Sequence, residues 1–125
     1  MTKILIVMTG CAFGGAFRFL ITTYIHKLGH FPYGTLTVNL IGCFLMGIIS
    51  TLLTERFTGI SPYVSLLLTV GFLGGLTTFS SFSNETMLLL KTGLILQAVL
   101  NVVLNTIGGL FAVWAGMVLI RLIYS

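Results

Sequence analysis

Charge is nearly missing from this sequence. Only 6% of its 125 residues are Asp, Glu, Lys or Arg, aspartate does not occur, and Glu55 and Glu85 are the only acids. Soluble globular domains carry about 25% charged residues, so a water-facing surface is excluded. Disorder and nucleic-acid binding are excluded with it, because both need a density of charge or polar surface that six Lys or Arg against two acids do not supply. Proline and cysteine are equally sparse, at two each. Cys11 and Cys43 sit inside apolar runs with no CxxC spacing and no neighbouring His, which reads as two small buried hydrophobes and not as a disulfide, redox pair or metal site. There is no Ser/His/Asp arrangement, no HExxH, no P-loop and no nucleotide-binding glycine fingerprint, so the chain is not read as an enzyme. His26 and His30, one turn apart between two apolar runs, read as solvated loop histidines before they read as a weak metal pair.

What the chain has is long hydrophobic runs. The hydrophobic set makes up 57% of the residues, and the mean hydropathy is +1.15. A membrane-crossing helix needs about 20 mostly apolar residues, and four such runs are present, at about 4–25, 35–54, 63–90 and 94–124. The first is too long for a signal-peptide core and is read as a membrane helix. Breaks fall at His26, Lys27, Gly29, His30 and Pro32, then at Glu55, Arg56, Gly59 and Pro62, and finally at Lys91 and Gly93. The expectation is an all-α integral membrane protein, one domain over 1–125, with both termini on the same side.

The third run is unusual. Gly71, Gly74 and Gly75 lead into Thr77-Thr78-Phe79-Ser80-Ser81-Phe82-Ser83, where five of seven residues carry hydroxyls. Glycine weakens a helix and these hydroxyls compete for its backbone, so the spacing predicts an interrupted third helix. Irregular backbone inside a bilayer is tolerated only where protein buries it or water reaches it, which makes this segment the leading site candidate. Lys and Arg are balanced between the two sides: Lys3, Arg56 and Arg121 on one, Lys27 and Lys91 on the other, with Arg18 near its helix end. The positive-inside bias is therefore absent, and insertion in both orientations, as an antiparallel pair, is expected.

Few polar residues interrupt the runs. Arg18 reads either as a snorkelling anchor or as an anion-attracting group, and Glu85 as a structural partner or an ion-handling group. Gln97, Asn101 and Asn105 recur every four residues and so share one helix face over roughly 12 Å. Thr35 and Asn39 are spaced in the same way on the second run. Interhelical bonding and a conduit lining are both open for these amides. Phe79 and Phe82 are three apart among the hydroxyls; they read as a packed pair, or as rings whose electropositive edges face a small anion. Gly10 with Gly14, and Gly108, Ala112 and Gly116, mark faces for close helix packing.

The strings Gly14-Gly15-Ala16-Phe17-Arg18, Gly34-Thr35-Leu36-Thr37-Val38-Asn39-Leu40-Ile41-Gly42 and Gly74-Gly75-Leu76-Thr77-Thr78-Phe79-Ser80-Ser81-Phe82-Ser83-Asn84-Glu85 resemble the CrcB/Fluc fluoride channels over the whole chain. The resemblance implies passive export of fluoride from a prokaryotic cytoplasm across the cell membrane by an antiparallel, dual-topology homodimer with two pores. It also implies a structural sodium ion at the dimer centre, held by the backbone carbonyls of Gly74 and Thr77 of each subunit. Asn39, Phe79 and Phe82 match the family's pore residues, with Ser80, Ser81, Asn101 and Asn105 as further pore donors and Arg18 as the vestibule arginine. The fourth run departs from the usual pattern, offering Asn101, Asn105 and Gly109 where Ser, Thr or Tyr are common. Two rivals share the length and helix count. A small multidrug-type cation/proton antiporter wants a carboxylate in the first helix, where this chain has Arg18 and no acid. A non-conducting scaffold explains neither the predicted interruption nor the amide track.

Overall fold

The computed structural model of the chain describes residues 1–25, 31–57 and 59–125; His26, Lys27 and His30 lie outside the described residues. All regular structure among the described residues is helical. Helix α1 spans Thr2–Ile25 and α2 spans Tyr33–Thr51, running on into a π-helical turn at Leu52–Arg56. Pro62–Ser65 forms α3, followed without a gap by the π-helical Leu66–Leu73 and by α4, Gly74–Leu76. Helix α5 spans Phe79–Lys91 and α6 spans Ile95–Ile123. Among the described residues, four segments are long and apolar enough to cross a bilayer: Thr2–Ile25, Tyr33–Arg56, Pro62–Lys91 and Ile95–Ile123.

The helix ends follow from local chemistry. Pro62 fills the first position of α3, where a missing N–H costs nothing, and the Ser61 hydroxyl accepts from Tyr63 N at 3.3 Å. Gly93 takes φ +77°, which lets the chain turn between α5 and α6 in three residues. Between α4 and α5, Thr77 (φ −83°, ψ 157°) and Thr78 (φ −151°, ψ 114°) are extended. The Thr78 hydroxyl then caps α5 by accepting from Ser81 N at 3.2 Å.

Large apolar side chains point outward and small residues inward, the reverse of a soluble bundle. Leu110 is 74% exposed, Leu96 72% and Phe19 67%, a surface suited to lipid tails. Inside, Gly10, Gly14, Gly47, Gly109 and Gly116 are buried. A Cβ on Gly47 would strike the Val113 carbonyl, and one on Gly116 the Phe44 carbonyl, so α2 and α6 pack backbone to backbone over their most extensive contact. Helix α1 packs mainly against Leu66–Leu73 and α4. Val38, Leu73 and Leu76 form the fully buried apolar centre, joining α2 to the third membrane segment. These two interfaces fix the extended Thr77–Thr78 pair against Asn39 on one side and Arg18 on the other.

Candidate functional site

A groove of about 320 Å³ runs along α2, α4, the start of α5 and α6, beside the extended pair. Gly74, Thr77, Phe79, Phe82, Asn39 and Asn105 line it. Among the described residues its wall does not include Ser80, Ser81, Asn101 or Arg18.

Asn39 is the pivot. Its Oδ1 accepts from Thr78 N at 2.9 Å, while its Nδ2 donates to Asn105 Oδ1 at 2.8 Å and to Thr78 O at 3.3 Å. In a continuous helix the Thr78 N–H would donate to the Gly74 carbonyl; here it is turned to a side chain on α2, and the Gly74 carbonyl is released from the ladder. The bonding continues along α6 and back to α5. Asn105 Nδ2 donates to Asn101 Oδ1 at 2.9 Å and to Asn101 O at 3.0 Å. Asn101 Nδ2 donates to Thr86 Oγ1 at 2.9 Å, and Thr86 Oγ1 donates to Phe82 O at 2.8 Å. A chain of amides and one hydroxyl thus links the groove wall at Asn39 to the backbone of Phe82.

The two phenylalanines differ sharply. Their ring centroids are 5.4 Å apart with planes at 56°, yet Phe82 is 7% exposed and Phe79 75%. An aromatic ring is electropositive at its edge, and both rings line the groove. The hydroxyl cluster is local: Thr78 Oγ1 donates to Ser81 Oγ at 3.0 Å and lies 3.3 Å from Ser80 Oγ.

The remaining sequence candidates scatter. Arg18 turns inward, Nη1 donating to Thr77 O at 3.2 Å from a part-buried position. Glu85 accepts from Thr35 Oγ1 at 2.7 Å, joining α5 to α2. Gln97 takes no part in the amide chain, and its buried Oε1 has no hydrogen-bond partner among the described residues. Asn101 is fully buried, its amide N–H committed to Thr86. Sequence reasoning missed Thr86, and it placed Thr78 in the candidate segment without giving it a role. Thr86 lies seven residues before Gly93 and Asn101 eight after it, so a hairpin turning there brings them to about the same level; Thr78 carries the Thr-x-x-Ser spacing of a helix N-cap.

The profile of the CrcB-like protein (Camphor Resistance, CrcB) family matches residues 5–117. The chain belongs to the CrcB family. Similar CrcB relatives include the fluoride-specific ion channel FluC of Shewanella sp. strain W3-18-1, 48% identical over 96% of this chain and 97% of its own length. Those of Shewanella baltica strain OS185 and Shewanella frigidimarina, with the same name, are 47% and 46% identical over the same shares. CrcB membership and four bilayer-length helices make this a multi-pass membrane protein. The family is one of ion channels and not of enzymes.

Proposed function

We propose that this chain is a fluoride-selective channel that lets fluoride leave the cytoplasm passively. The reading rests on its CrcB membership, with relatives named as fluoride-specific channels, and on one structural observation that suits such cargo. The buried Phe82 ring, the exposed Phe79 ring and the Asn39–Asn105 amides share one groove with no charged side chain among its described lining residues. A fixed cation there would trap a small anion. Ring edges and amide N–H groups replace part of its water without holding it.

In the proposed mechanism the third membrane segment is a broken helix, interrupted at Thr77–Thr78 near the bilayer midplane. Asn39 holds the interruption open through Thr78, and fluoride passes the edges of Phe82 and Phe79, where Asn39 and Asn105 donate to it in exchange for their longer bonds to Thr78 O (3.3 Å) and Asn101 O (3.0 Å). Asn101, Ser80 and Ser81 orient these groups from behind, through Asn105 and Thr78. Larger halides fit the narrow path poorly.

We further propose that two copies associate antiparallel, in dual topology, in a prokaryotic cell membrane. The 75% exposure of Phe79 and the exposure of Gly74 beside the groove support this, because a single copy leaves one wall of the path unbuilt. The donor chemistry at that face suits the structural sodium ion the family implies. The Gly74 carbonyl is released from the helical ladder, and the Thr77 carbonyl keeps a second lone pair beside its Arg18 bond. When bound, such an ion would cross-link the two interruptions electrostatically. The antiporter alternative finds no support, since the chain belongs to CrcB and its first helix has no acid.

A fluoride-electrode efflux assay on purified protein in liposomes, with chloride efflux as the comparison, tests the function. Fluoride release well above empty vesicles and chloride near background is the expected result; equal release of both halides would reject selectivity. Finding every copy in one orientation with tagged termini would reject the antiparallel pair.

A further inference from the structure

We infer that Arg18 is a positioning residue, and that the Gly10–Gly14–Arg18 face of α1 is a splint holding the Thr77 carbonyl in place where α4 ends. These three residues are four apart, so they stack on one face of the helix. Both glycines are pressed against the chain leading to the interruption. A Cβ on Gly10 would stand 2.7 Å from Gly71 Cα and Phe72 N, and one on Gly14 would strike the Phe72 carbonyl and stand 2.8 Å from Leu76 N. The approach is reciprocal, since a Cβ on Gly75 would lie 2.7 Å from Cys11 O. One turn beyond Gly14, this proximity brings the Arg18 Nη1 to 3.2 Å from Thr77 O. Phe17 sets the rotation of α1 by packing edge-on against Phe72, centroids 5.9 Å apart at 74°.

The need for a splint follows from the backbone. With ψ at 157°, Thr77 turns its carbonyl out of the helical ladder, and a bare carbonyl inside a bilayer is costly. A guanidinium always carries its protons and spreads several N–H groups in a fixed plane, so one can bond the carbonyl without any change of protonation. Arg18 therefore uses its donor at the interruption, a different task from the vestibule role that the family resemblance implied. Its charge does not line the groove.

The experiment compares Arg18→Lys, Arg18→Gln and Arg18→Met in liposomes across a range of fluoride concentrations, together with solid-state NMR of the Thr77 carbonyl carbon. Gln keeps an N–H donor without charge, and Lys keeps charge without the planar fork. The flux arm rests on the fluoride reading above; the NMR arm does not. The splint predicts that Gln retains a higher maximal flux than Met, with Met losing about tenfold, the scale of one charge-assisted bond. It also predicts that Met shifts the Thr77 carbonyl resonance. An attracting charge predicts the opposite: Lys near wild type, Gln and Met equally weak at low fluoride and both restored at high fluoride, with the resonance unmoved. That outcome overturns the inference. If the variants fail to assemble, dipolar dephasing of the Thr77 carbonyl carbon by arginine guanidinium nitrogen in the wild-type protein decides it. Strong dephasing supports the splint, and its absence overturns it. Wild-type protein that shows the dephasing but no fluoride flux would sink the fluoride reading and leave the splint standing.

Discussion

Replacing Asn39 by alanine should let the extended Thr77–Thr78 pair wind into helix. The wild-type amide accepts from Thr78 N at 2.9 Å and donates to Asn105 Oδ1 at 2.8 Å. Leaving both partners unsatisfied would cost roughly 1–3 kcal/mol each, about 2–6 kcal/mol in all. The Thr78 N–H has an escape, because in a continuous helix its partner would be the Gly74 carbonyl, four residues back. Taking that bond recovers one of the two losses, so the variant should stay folded and pay only for the stranded Asn105 acceptor and for rewinding Thr77 and Thr78. That leaves about 1–3 kcal/mol, against the average of ~0.6 kcal/mol measured for interhelical bonds in membranes. Rewinding moves the Gly74 carbonyl back into the ladder and the substitution removes the Asn39 amide from the groove, so fluoride efflux should fall by roughly fivefold or more, since 1.4 kcal/mol is one decade. Fluoride-electrode efflux reads the flux, and the Cα and Cβ shifts of Thr77 and Thr78 read the backbone. Wild-type flux together with shifts that stay extended would refute the reasoning.

Phe82→Ile, nearly volume-conserving at a 7% exposed site, should cost under about 1.5 kcal/mol of stability yet lower fluoride flux in liposomes; unchanged flux would argue against the ring-edge role. Gly75→Ala should push α1 away from α4, because its Cβ would stand 2.7 Å from Cys11 O and 2.9 Å from Cys11 Cα; the check is loss of monodisperse protein in size exclusion or a lower melting temperature. Asn101→Leu removes the donor to Thr86 and the acceptor for Asn105 from a fully buried position. At roughly 1–3 kcal/mol for a stranded group, the melting temperature should fall measurably, whereas an unshifted transition would show the amide chain to be energetically idle.

How far the sequence reached differs from residue to residue. The apolar runs end within a few residues of the observed helices because their ends carry local signals: Pro62 behind a capping Ser61, and Gly93 in a left-handed turn. The four-residue recurrence of Asn101 and Asn105 placed them on one face, and they bond each other within α6. Periodicity could not say what that face meets. Conduit lining and interhelical bonding stood level on the sequence; the structure commits the Asn101 N–H to Thr86 and brings Asn105 to the groove beside Asn39. Gln97, on the same spacing, does not join them.

What the sequence alone determined is therefore what depends on neighbours along the chain: the number and length of membrane segments from the near-absence of charge, the turns between them, and the concentration of glycine and hydroxyl residues in the third. Tertiary structure decided direction and partnership. Arg18 could have reached up to the lipid headgroups or inward, and it reaches inward because Gly10 and Gly14 let α1 approach closely enough for Thr77 O to be within a hydrogen bond. Phe79 and Phe82 are alike in sequence, but the packing of α5 against α6 buries one and leaves the other exposed. The physical reason is common to both: a helix period fixes which residues share a face, whereas the distance between helix axes, set by side chains that are missing, fixes which groups on two faces can touch.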